Sequence, residues 1–259
     1  MNAEPANPVV RVRGLTVGFG DRNVLENINL DVRRREVLGI VGGSGSGKSV
    51  LLRTIIGLLP KRAGTIELFG QDTGRLSLAE LRLLERRCGV LFQQGALFSS
   101  LTVKQNIQFQ MREALGLSTR LLDEMSVAKL EMVGLAAADG DKWPAELSGG
   151  MIKRAAMARA LALDPEFVFL DEPTSGLDPI SAGDVDDMIA TLQDTLGLTV
   201  FMVTHDLDSL RSICNRIVVI ADKGIVADGT IEDMLHHDHP WVQSYFRGRA
   251  NVPAPANGN

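Results

Sequence analysis

The chain has 259 residues, 45% of them hydrophobic and 23% charged, and its formal net charge is −5. This length allows one large domain or two small ones, and the composition is ordinary for a globular protein with a substantial core. The acidic balance argues against a nucleic-acid-binding protein, because such proteins normally carry a basic excess. The two cysteines, Cys88 and Cys214, are far apart in the sequence, which favours reduced thiols over a disulfide or a metal site.

Neither a membrane-spanning segment nor a secretion signal is expected from this sequence. No apolar run approaches the roughly 18 to 20 residues that cross a bilayer. Residues 1–8 lack the basic start and the apolar core of a secretion signal. If the protein works at a membrane, another chain must span it. The two ends, residues 1–8 and 247–259, are rich in Pro, Ala and Asn, and we expect them to be disordered.

The first part of the chain carries short β-like segments that Gly and Asp or Asn turns separate. They lie at residues 9–12, 15–17 and 28–30, and residues 65–69 add another segment before Gly70. This spacing predicts a small antiparallel sheet beside a nucleotide site.

A glycine-rich loop lies between a predicted strand and a predicted helix. Residues 42–49 read GGSGSGKS, which fits the pattern G-x-x-x-x-G-K-[ST]. The apolar residues 37–41 precede the loop as a buried strand, and apolar residues at helical spacing follow it up to Pro60. A flexible Gly/Ser loop that fits the pattern by chance would lack this context. The sequence therefore predicts a nucleotide-binding loop.

The physical reason is the set of donors that this loop presents. Glycines allow consecutive backbone N–H groups to turn towards a polyphosphate, and the positive end of the following helix points to the same place. Lys48 would then contact the β- and γ-phosphates, and the Ser49 hydroxyl would hold Mg²⁺. The predicted nucleotide-binding residues are Gly42, Gly43, Ser44, Gly45, Ser46, Gly47, Lys48, Ser49 and Val50.

The middle of the chain is predicted to be helical. Ser77 and Glu80 have the spacing of a capping box and begin a helix, and residues 88–92 then form a strand. From residue 102 to about residue 133 apolar residues recur at helical spacing, without another phosphate-binding loop. We interpret approximately residues 100–162 as an α-helical insertion into the core.

The core resumes with three apolar strands at residues 167–170, 199–204 and 216–220. Helices fall between them, which is the alternation typical of a parallel α/β sheet. Residues 222–224 (Asp-Lys-Gly) predict a turn into a final hairpin. No internal repeat of roughly 20–50 residues is present, so the sequence predicts one nucleotide-binding unit.

The strand at residues 167–170 ends in two acids, Asp171 and Glu172. At the carboxyl end of a strand beside the phosphate loop, Asp171 can hold Mg²⁺ through water, and Glu172 can orient or deprotonate the attacking water. Solvated carboxylates at a strand end are the simpler alternative, which the upstream phosphate loop disfavours.

His205 and Gln93 follow other strands and are expected at the same rim of the sheet. A lone His is usually structural, but this location favours a contact with the γ-phosphate. The Gln93 amide can bind Mg²⁺ or the attacking water, and its neighbour Gln94 competes for that role. The predicted catalytic residues are Glu172, His205 and Gln93, and the predicted Mg²⁺ ligands are Ser49, Gln93 and Asp171.

A second predicted anion site begins a helix at Ser148, Gly149 and Gly150. Free N–H groups, the helix macrodipole and a hydroxyl come together at such a helix start. The simpler interpretation is an ordinary N-cap, which would be preferred for this segment taken alone.

Taken in order, these motifs resemble those of the nucleotide-binding subunits of ATP-binding-cassette (ABC) transporters. The resemblance covers residues 9–246 and implies an α/β P-loop NTPase fold. That fold has a RecA-like parallel sheet core, an antiparallel β subdomain and an inserted α-helical subdomain. The corresponding motifs are Walker A (residues 42–49), the Q-loop (Gln93), the signature (residues 147–151), Walker B (Asp171-Glu172), the D-loop (residues 175–178, with Asp178) and the H-loop (His205).

The resemblance also implies an enzymatic activity, its cofactors and further residue roles. It implies an ATPase that uses ATP and Mg²⁺ and whose hydrolysis is coupled to transport. Phe19 stands where the family places an aromatic residue that stacks on adenine. Ser148, Gly149 and Gly150 would complete the ATP site of a partner subunit, so the resemblance implies a homodimer with two ATP molecules between its subunits.

Met151 stands where most of the family has Gln, and together with residues 91–98 and 171–180 it resembles the MCE-associated ATPases. These include the cytoplasmic subunit of the maintenance-of-lipid-asymmetry (Mla) system. The resemblance implies transport of phospholipid or another hydrophobic compound through a separate integral-membrane permease. It also implies an MCE-type substrate-binding protein, a small accessory subunit, no nucleic acid, and a peripheral location on the cytoplasmic face of the bacterial inner membrane.

Two alternatives to lipid transport stay open at this point. One is an importer ATPase for a polar solute such as an amino acid, since Phe92-Gln93-Gln94 also occurs in that branch. The other is an ABC ATPase without a transport role, in DNA repair or translation. The absence of a long insert and of a second cassette disfavours it.

For two further segments the sequence bears on contacts with other chains, metal or the rest of the protein. Residues 95–101 beside Gln93 are a candidate docking groove, where Leu97 and Phe98 would face a partner helix or, alternatively, pack internally. Residues 236–239 (His-His-Asp-His) could suggest a metal site, but a solvated loop is the favoured interpretation. Aromatic residues 241, 245 and 246 are expected to pack onto the cassette or onto a neighbouring chain.

Overall fold

The computed structural model describes residues 8–248. The predicted disordered ends fall almost wholly outside these described residues. The strands are β1 (Val10–Phe19), β2 (Arg22–Val32), β3 (Val37–Gly42), β4 (Ala63–Leu68), β5 (Gln71–Asp72), β6 (Cys88–Leu91), β7 (Phe167–Asp171), β8 (Thr199–Val203), β9 (Arg216–Ala221) and β10 (Gly224–Gly229). The helices are α1 (Lys48–Ile55), α2 (Leu78–Glu85), α3 (Val103–Leu115), α4 (Thr119–Met132), α5 (Gly149–Ala160), α6 (Pro179–Leu196), α7 (Leu207–Ile213), α8 (Ile231–His236) and α9 (Pro240–Gly248), with short 3-10 helices at Ala137–Asp141 and Pro144–Glu146.

The core is a six-stranded sheet in the order β10-β9-β3-β8-β7-β6. Its five strands from β9 to β6 run parallel, and β10 pairs antiparallel with β9. Every residue of β7, β8 and β9 is buried, which is why these strands read as continuous apolar runs rather than as alternating ones. The predicted parallel α/β core is confirmed.

A second, antiparallel sheet has the order β2-β1-β4-β5. The prediction of separate short pieces at residues 9–12 and 15–17 is wrong, because both belong to the single strand β1. The pairing of β1 with β2 shifts register on both sides of Leu15, next to Gly14 (φ 58°) and Asn27 (φ 51°). Two bulges absorb these left-handed residues, so the strand continues where a turn was expected.

The final hairpin joins β9 to β10 as predicted. Ala221 pairs with Gly224, and the two residues between them, Asp222 and Lys223, have φ of 48° and 65°. Two central residues with positive φ make a turn whose twist matches that of the flanking strands.

A helical segment interrupts the parallel core between β6 and β7. It contains α3, α4 and α5, whose buried faces share one apolar cluster with strands of the core sheet. A capping box at Thr102 begins α3, and Gly116 ends it in the left-handed conformation. The predicted helical stretch from residue 102 to 133 is therefore two helices.

A buried carboxylate joins α6 to α7 and makes stability depend on pH. Asp186 on α6 is 6% exposed and accepts a 2.7 Å hydrogen bond from the Ser209 hydroxyl, while its Oδ1 has no hydrogen-bond partner among the described residues. Burial raises the pKa of Asp186 to about 6, and nearby carboxylates such as Asp206 add to the shift. The folded state thus holds a proton that the unfolded state releases at lower pH, so this group's contribution to stability falls as pH rises from about 4 to about 6.

We expect Asp186→Asn to raise the free energy of unfolding at pH 7.5 by about 1–3 kcal/mol, because the amide removes a buried charge and keeps the oxygen that Ser209 needs. The gain should shrink towards zero near pH 4. Urea unfolding at both pH values checks this, with the exposed Asp187→Asn as the matched control. Equal stability of Asp186→Asn and the parent at pH 7.5 would contradict the buried-charge argument.

Candidate functional site

The phosphate loop runs from the end of β3 to the start of α1, at the carboxyl edge of the parallel sheet. Gly47 precedes α1 with φ 102°, and a Cβ there would lie 2.7 Å from Leu25 Cδ2. A Cβ on Gly42 would lie 2.3 Å from the Ile220 carbonyl oxygen. Both positions therefore require glycine, since the loop passes too close to its neighbours for a side chain.

The donors of this loop fit a polyphosphate. No side chain caps α1, so its first N–H groups face the loop. Ser46 Oγ is buried and has no hydrogen-bond partner in the part of the chain that the structure describes. Lys48 Nζ donates to the carbonyls of Gly42 (2.8 Å) and Gly43 (3.0 Å), and burial lowers the pKa of its ammonium group. A half-buried cation, free amides and an unpaired hydroxyl together make an anion site.

Asp171 lies at the end of β7, beside the start of α1. Its side chain is buried, and the Ser49 hydroxyl donates to its Oδ1 over 3.2 Å. Burial raises the pKa of Asp171. Hydroxyl and carboxylate oxygens side by side are ligands that suit Mg²⁺, so this pair could hold the metal.

Glu172 joins the two other predicted rim residues. Gln93 Nε2 donates to Glu172 Oε2 over 2.7 Å, and His205 Nδ1 lies 3.2 Å from Glu172 Oε1. The Glu172 side chain is 18% exposed and that of His205 is 63% exposed. It is Gln93, rather than Gln94, that contacts Glu172. Residues that follow three strands of the core sheet thus meet at one carboxylate.

Sequence reasoning missed Lys153, which connects this carboxylate segment to the helix of the signature. Lys153 on α5 is 4% exposed, and burial lowers the pKa of its ammonium group. Its Nζ donates to the carbonyls of Gln93 and Glu172 and to Ser175 Oγ.

Arg159, further along α5, was also missed and acts in the same way. Its guanidinium donates to the carbonyls of Gly95 (2.7 Å) and Ala96 (2.5 Å). In the sequence Lys153 and Arg159 look like ordinary cations of an Ala-rich helix, and they lie roughly a third of a turn apart around it, so no periodicity marks them as buried. Through Lys153 and Arg159, α5 holds the segment from Gln93 to Ala96 in place.

The remaining predicted site residues lie apart from this cluster. Ser148 and Gly149 are exposed, and Ser148 Oγ accepts a hydrogen bond from the Met151 N–H, so within this chain Ser148 is an N-cap. Asp178 caps α6 and receives hydrogen bonds from Ser181, which lower the pKa of its carboxyl group. Phe19 ends β1 with 54% of its surface exposed.

The predicted docking residues divide between the two interpretations. Leu97 is partly buried and packs against the main apolar cluster, whereas Phe98 is 46% exposed. Phe98 contacts Phe109 of α3 with ring centroids 5.1 Å apart. Leu97 therefore fits the interpretation of internal packing, and Phe98 fits the interpretation of an exposed docking residue.

The histidine-rich segment, residues 236–239, starts at the end of α8 and precedes α9. Within residues 8–248, no group of three or more His, Cys, Asp or Glu residues is arranged to hold a metal ion. His239 Nε2 lies 3.3 Å from Asp222 Oδ2 instead. Over the same residues, no helix combines the length and the apolar character that crossing a membrane requires.

Comparison with known proteins agrees with this geometry. Residues 25–175 match the ABC transporter family. The chain is 41% identical to the intermembrane phospholipid transport system ATP-binding protein MlaF of Haemophilus influenzae, over 95% of this chain and 92% of that protein. It is 38% identical to the probable ribonucleotide transport ATP-binding protein of Mycobacterium leprae, over 96% of this chain and 72% of that protein.

A solved structure shows the same fold. It is a dimeric ATP-binding cassette in a post-hydrolysis state with ADP and phosphate, and it matches with a TM-score of 0.77 and 29% sequence identity, over 85% of this chain and 98% of that one. The family match spans the phosphate loop, Gln93 and the acidic pair. This chain therefore belongs to the ABC transporter family, as one of its ATP-hydrolysing cassettes.

Proposed function

We propose that this cassette powers the transport of phospholipid, or of another hydrophobic compound, between bacterial membranes. The proposal rests on the 41% identity to a phospholipid transport ATP-binding protein over nearly the whole length of both chains. The motifs around Gln93 and Met151, which resemble the MCE-associated ATPases, support the same substrate class.

The proposed chemistry assigns one task to each residue of the rim. Lys48 and the loop amides bind the β- and γ-phosphates, and Ser49, Asp171 and Gln93 hold Mg²⁺. Bound ATP supplies the phosphoanhydride bond that water cleaves. Glu172 accepts the proton of the attacking water, while His205 contacts the γ-phosphate. The support is geometric, since the contacts of 2.7 Å and 3.2 Å already place Gln93 and His205 on either side of Glu172.

We propose that the working unit is a homodimer in which Ser148, Gly149 and Gly150 complete the partner's ATP site. The exposure of Ser148 and Gly149 leaves them accessible to a second chain. The phosphate loop offers donors to one side of the γ-phosphate and the signature helix offers donors to the other. A fully charged triphosphate therefore favours the closed dimer, and hydrolysis weakens it.

Ser148→Arg tests this shared site. The arginine places a bulky cation where the partner's γ-phosphate would lie, so we expect hydrolysis to fall by about two orders of magnitude, as when one preorganised donor is lost. ATP binding to each monomer should persist. Ser118→Arg, at the N-cap of α4, is the matched control because it alters a similar exposed cap elsewhere. Unchanged hydrolysis in Ser148→Arg would reject the shared-site model.

We propose that a separate integral-membrane permease docks in an apolar groove beside the Gln93 segment. The groove has a volume of about 650 Å³, and its lining includes Leu58, Phe92, Phe98 and Phe109. Its walls come from both the core sheet and α3, so movement of the helical segment relative to the core would move a helix seated there. The cassette would then lie peripherally on the cytoplasmic face of the inner membrane. An MCE-type substrate-binding protein and a small accessory subunit would complete the complex.

The ATPase activity of the purified complex in nanodiscs tests the substrate class. Phospholipid should stimulate hydrolysis, whereas polar solutes should not. A specific observation supports the polar-solute alternative, namely the 38% identity to a probable ribonucleotide transport ATP-binding protein. Stimulation by ribonucleotides or amino acids without stimulation by lipid would overturn the lipid proposal in favour of this alternative.

A further inference from the structure

Helix α9 packs against the strand that leads into the phosphate loop. Val242 and Phe246 on α9 are fully buried, and they share an apolar cluster with Val41 of β3 and Val219 of β9. Val41 immediately precedes the phosphate loop. The buried side of α9 thus fixes the helix to the strand from which the loop emerges, which leaves its aromatic residues at the edge of the site.

Two aromatic rings on α9 connect the phosphate loop to the His205 segment. Trp241 and Tyr245 stack with centroids 4.9 Å apart and planes 13° apart. The Tyr245 hydroxyl donates to the His205 carbonyl oxygen over 2.7 Å. At the other end of the stack, Trp241 Nε1 lies 3.4 Å from the point that a Cβ on Gly43 would occupy.

The peptide that joins His205 to Asp206 is also held on its N–H side, where the Asp206 N–H donates to Thr204 Oγ1 over 3.0 Å. The His205 side chain is 63% exposed, and α7 begins only at Leu207. On the strand side, the Thr204 N–H donates to the Ile40 carbonyl over 3.2 Å. A shift of the His205 backbone would move the imidazole away from Glu172, and the hydrogen bonds of this peptide to Tyr245 and Thr204 oppose that shift.

We infer that Tyr245 is a positioning residue that holds the His205 imidazole beside Glu172 through the backbone. The inference rests on the proposed role of His205 in hydrolysis. In this role Tyr245 acts through the peptide whose carbonyl it binds. The stack with Trp241 restrains the Tyr245 ring, because Trp241 lies on the same helix and that helix also packs against the phosphate loop. The Trp241–Tyr245 stack thereby couples the position of the phosphate loop to that of the His205 segment.

Tyr245→Phe isolates the hydroxyl, since it keeps the ring, the stack and the burial. Losing one hydrogen bond that holds a reacting group should lower kcat about three- to tenfold. The KM for ATP should stay within about twofold, because the phosphate-loop contacts remain. Thr191→Val is the matched control, as it removes another hydroxyl that donates to a backbone carbonyl, 2.8 Å away on α6. It should leave both constants unchanged.

A double-mutant cycle with His205→Ala separates positioning from a general structural effect. Single-turnover hydrolysis should fall strongly in His205→Ala, and adding Tyr245→Phe should cause no further loss. Equal losses from Tyr245→Phe in both backgrounds, or a raised KM with unchanged kcat, would overturn the inference. An unchanged kcat in Tyr245→Phe beside an impaired His205→Ala would overturn it too, while sparing the role of His205. Full activity of His205→Ala alone would remove that proposed role, and with it this inference.

Thermal unfolding of each variant shows that the comparison is between folded proteins. In a Trp143→Phe background, Trp241 is the remaining tryptophan, so its emission reports whether α9 is still docked. We expect the same emission with Tyr245 or with Phe at that position. A loss of activity that appears only together with an altered Trp241 emission would assign the effect to undocking of α9 and overturn the specific role of the hydroxyl.

Discussion

Lys48→Ala is expected to lower kcat/KM for ATP by about two to three orders of magnitude, because charge-assisted hydrogen bonds to phosphate contribute about 1.5–3 kcal/mol each. The Lys48 ammonium is half-buried and donates only to the carbonyls of Gly42 and Gly43 within the described structure. Burial lowers its pKa, while the carboxylates of Glu172 and Asp171 oppose that shift. A phosphate can replace the two carbonyls and offers the ammonium a full negative charge.

Binding of a fluorescent ATP analogue and steady-state hydrolysis measure this effect separately. Lys104→Ala is the matched control, because it removes the same charge at a distance from the site. In the parent, Lys104 pairs with Asp141 over 3.0 Å. The control should bind ATP as the parent does. If Lys48→Ala kept the parent's affinity and rate, the loop at residues 42–49 would not be the phosphate site.

Glu172→Gln is expected to bind ATP but to hydrolyse it about 10²- to 10⁴-fold more slowly, which is the usual contribution of a general base. The amide is nearly the same size and can still accept a hydrogen bond from Gln93, which donates over 2.7 Å in the parent. It cannot take a proton from water. Because ATP would stay intact between the subunits, the variant should also accumulate as a nucleotide-bound dimer.

Size-exclusion chromatography with and without ATP, alongside a phosphate-release assay, measures both consequences. Glu124→Gln is a suitable control, since that carboxylate is exposed and pairs with Arg120 over 2.8 Å on α4. It should behave like the parent in both experiments. Fast turnover in Glu172→Gln would reject Glu172 as the catalytic base, and a monomer that is saturated with ATP would count against the proposed dimer.

Much of the candidate site could be predicted because its geometry follows from local rules. The phosphate loop, its strand and its helix are contiguous within residues 37–55. Gln93, Glu172 and His205 are far apart in sequence, yet each follows a strand of one parallel sheet. The carboxyl ends of parallel strands meet at one edge, so the sequence order of strands and polar residues was enough to predict their proximity.

Other parts of the site could not be predicted, because the deciding contacts join residues without a shared period. Lys153 and Arg159 looked like ordinary helix cations, and only the packing of α5 against the Gln93 segment gives their buried ammonium and guanidinium groups carbonyl partners. The continuity of β1 was hidden as well. Gly14 resembles a turn signal in sequence, but pairing with β2 and β4 on both sides stabilises a bulge there instead.

The sequence by itself determined the fold class, the phosphate loop and the order of polar residues along the rim, because strand and helix periodicity and glycine geometry act over a few neighbouring residues. The tertiary structure alone decided which glutamine contacts Glu172, which cations hold α5 to that segment, and how α9 reaches His205. Those outcomes depend on burial. A buried polar group must find a partner or pay for its lost hydration, and the partner's identity depends on how distant elements pack.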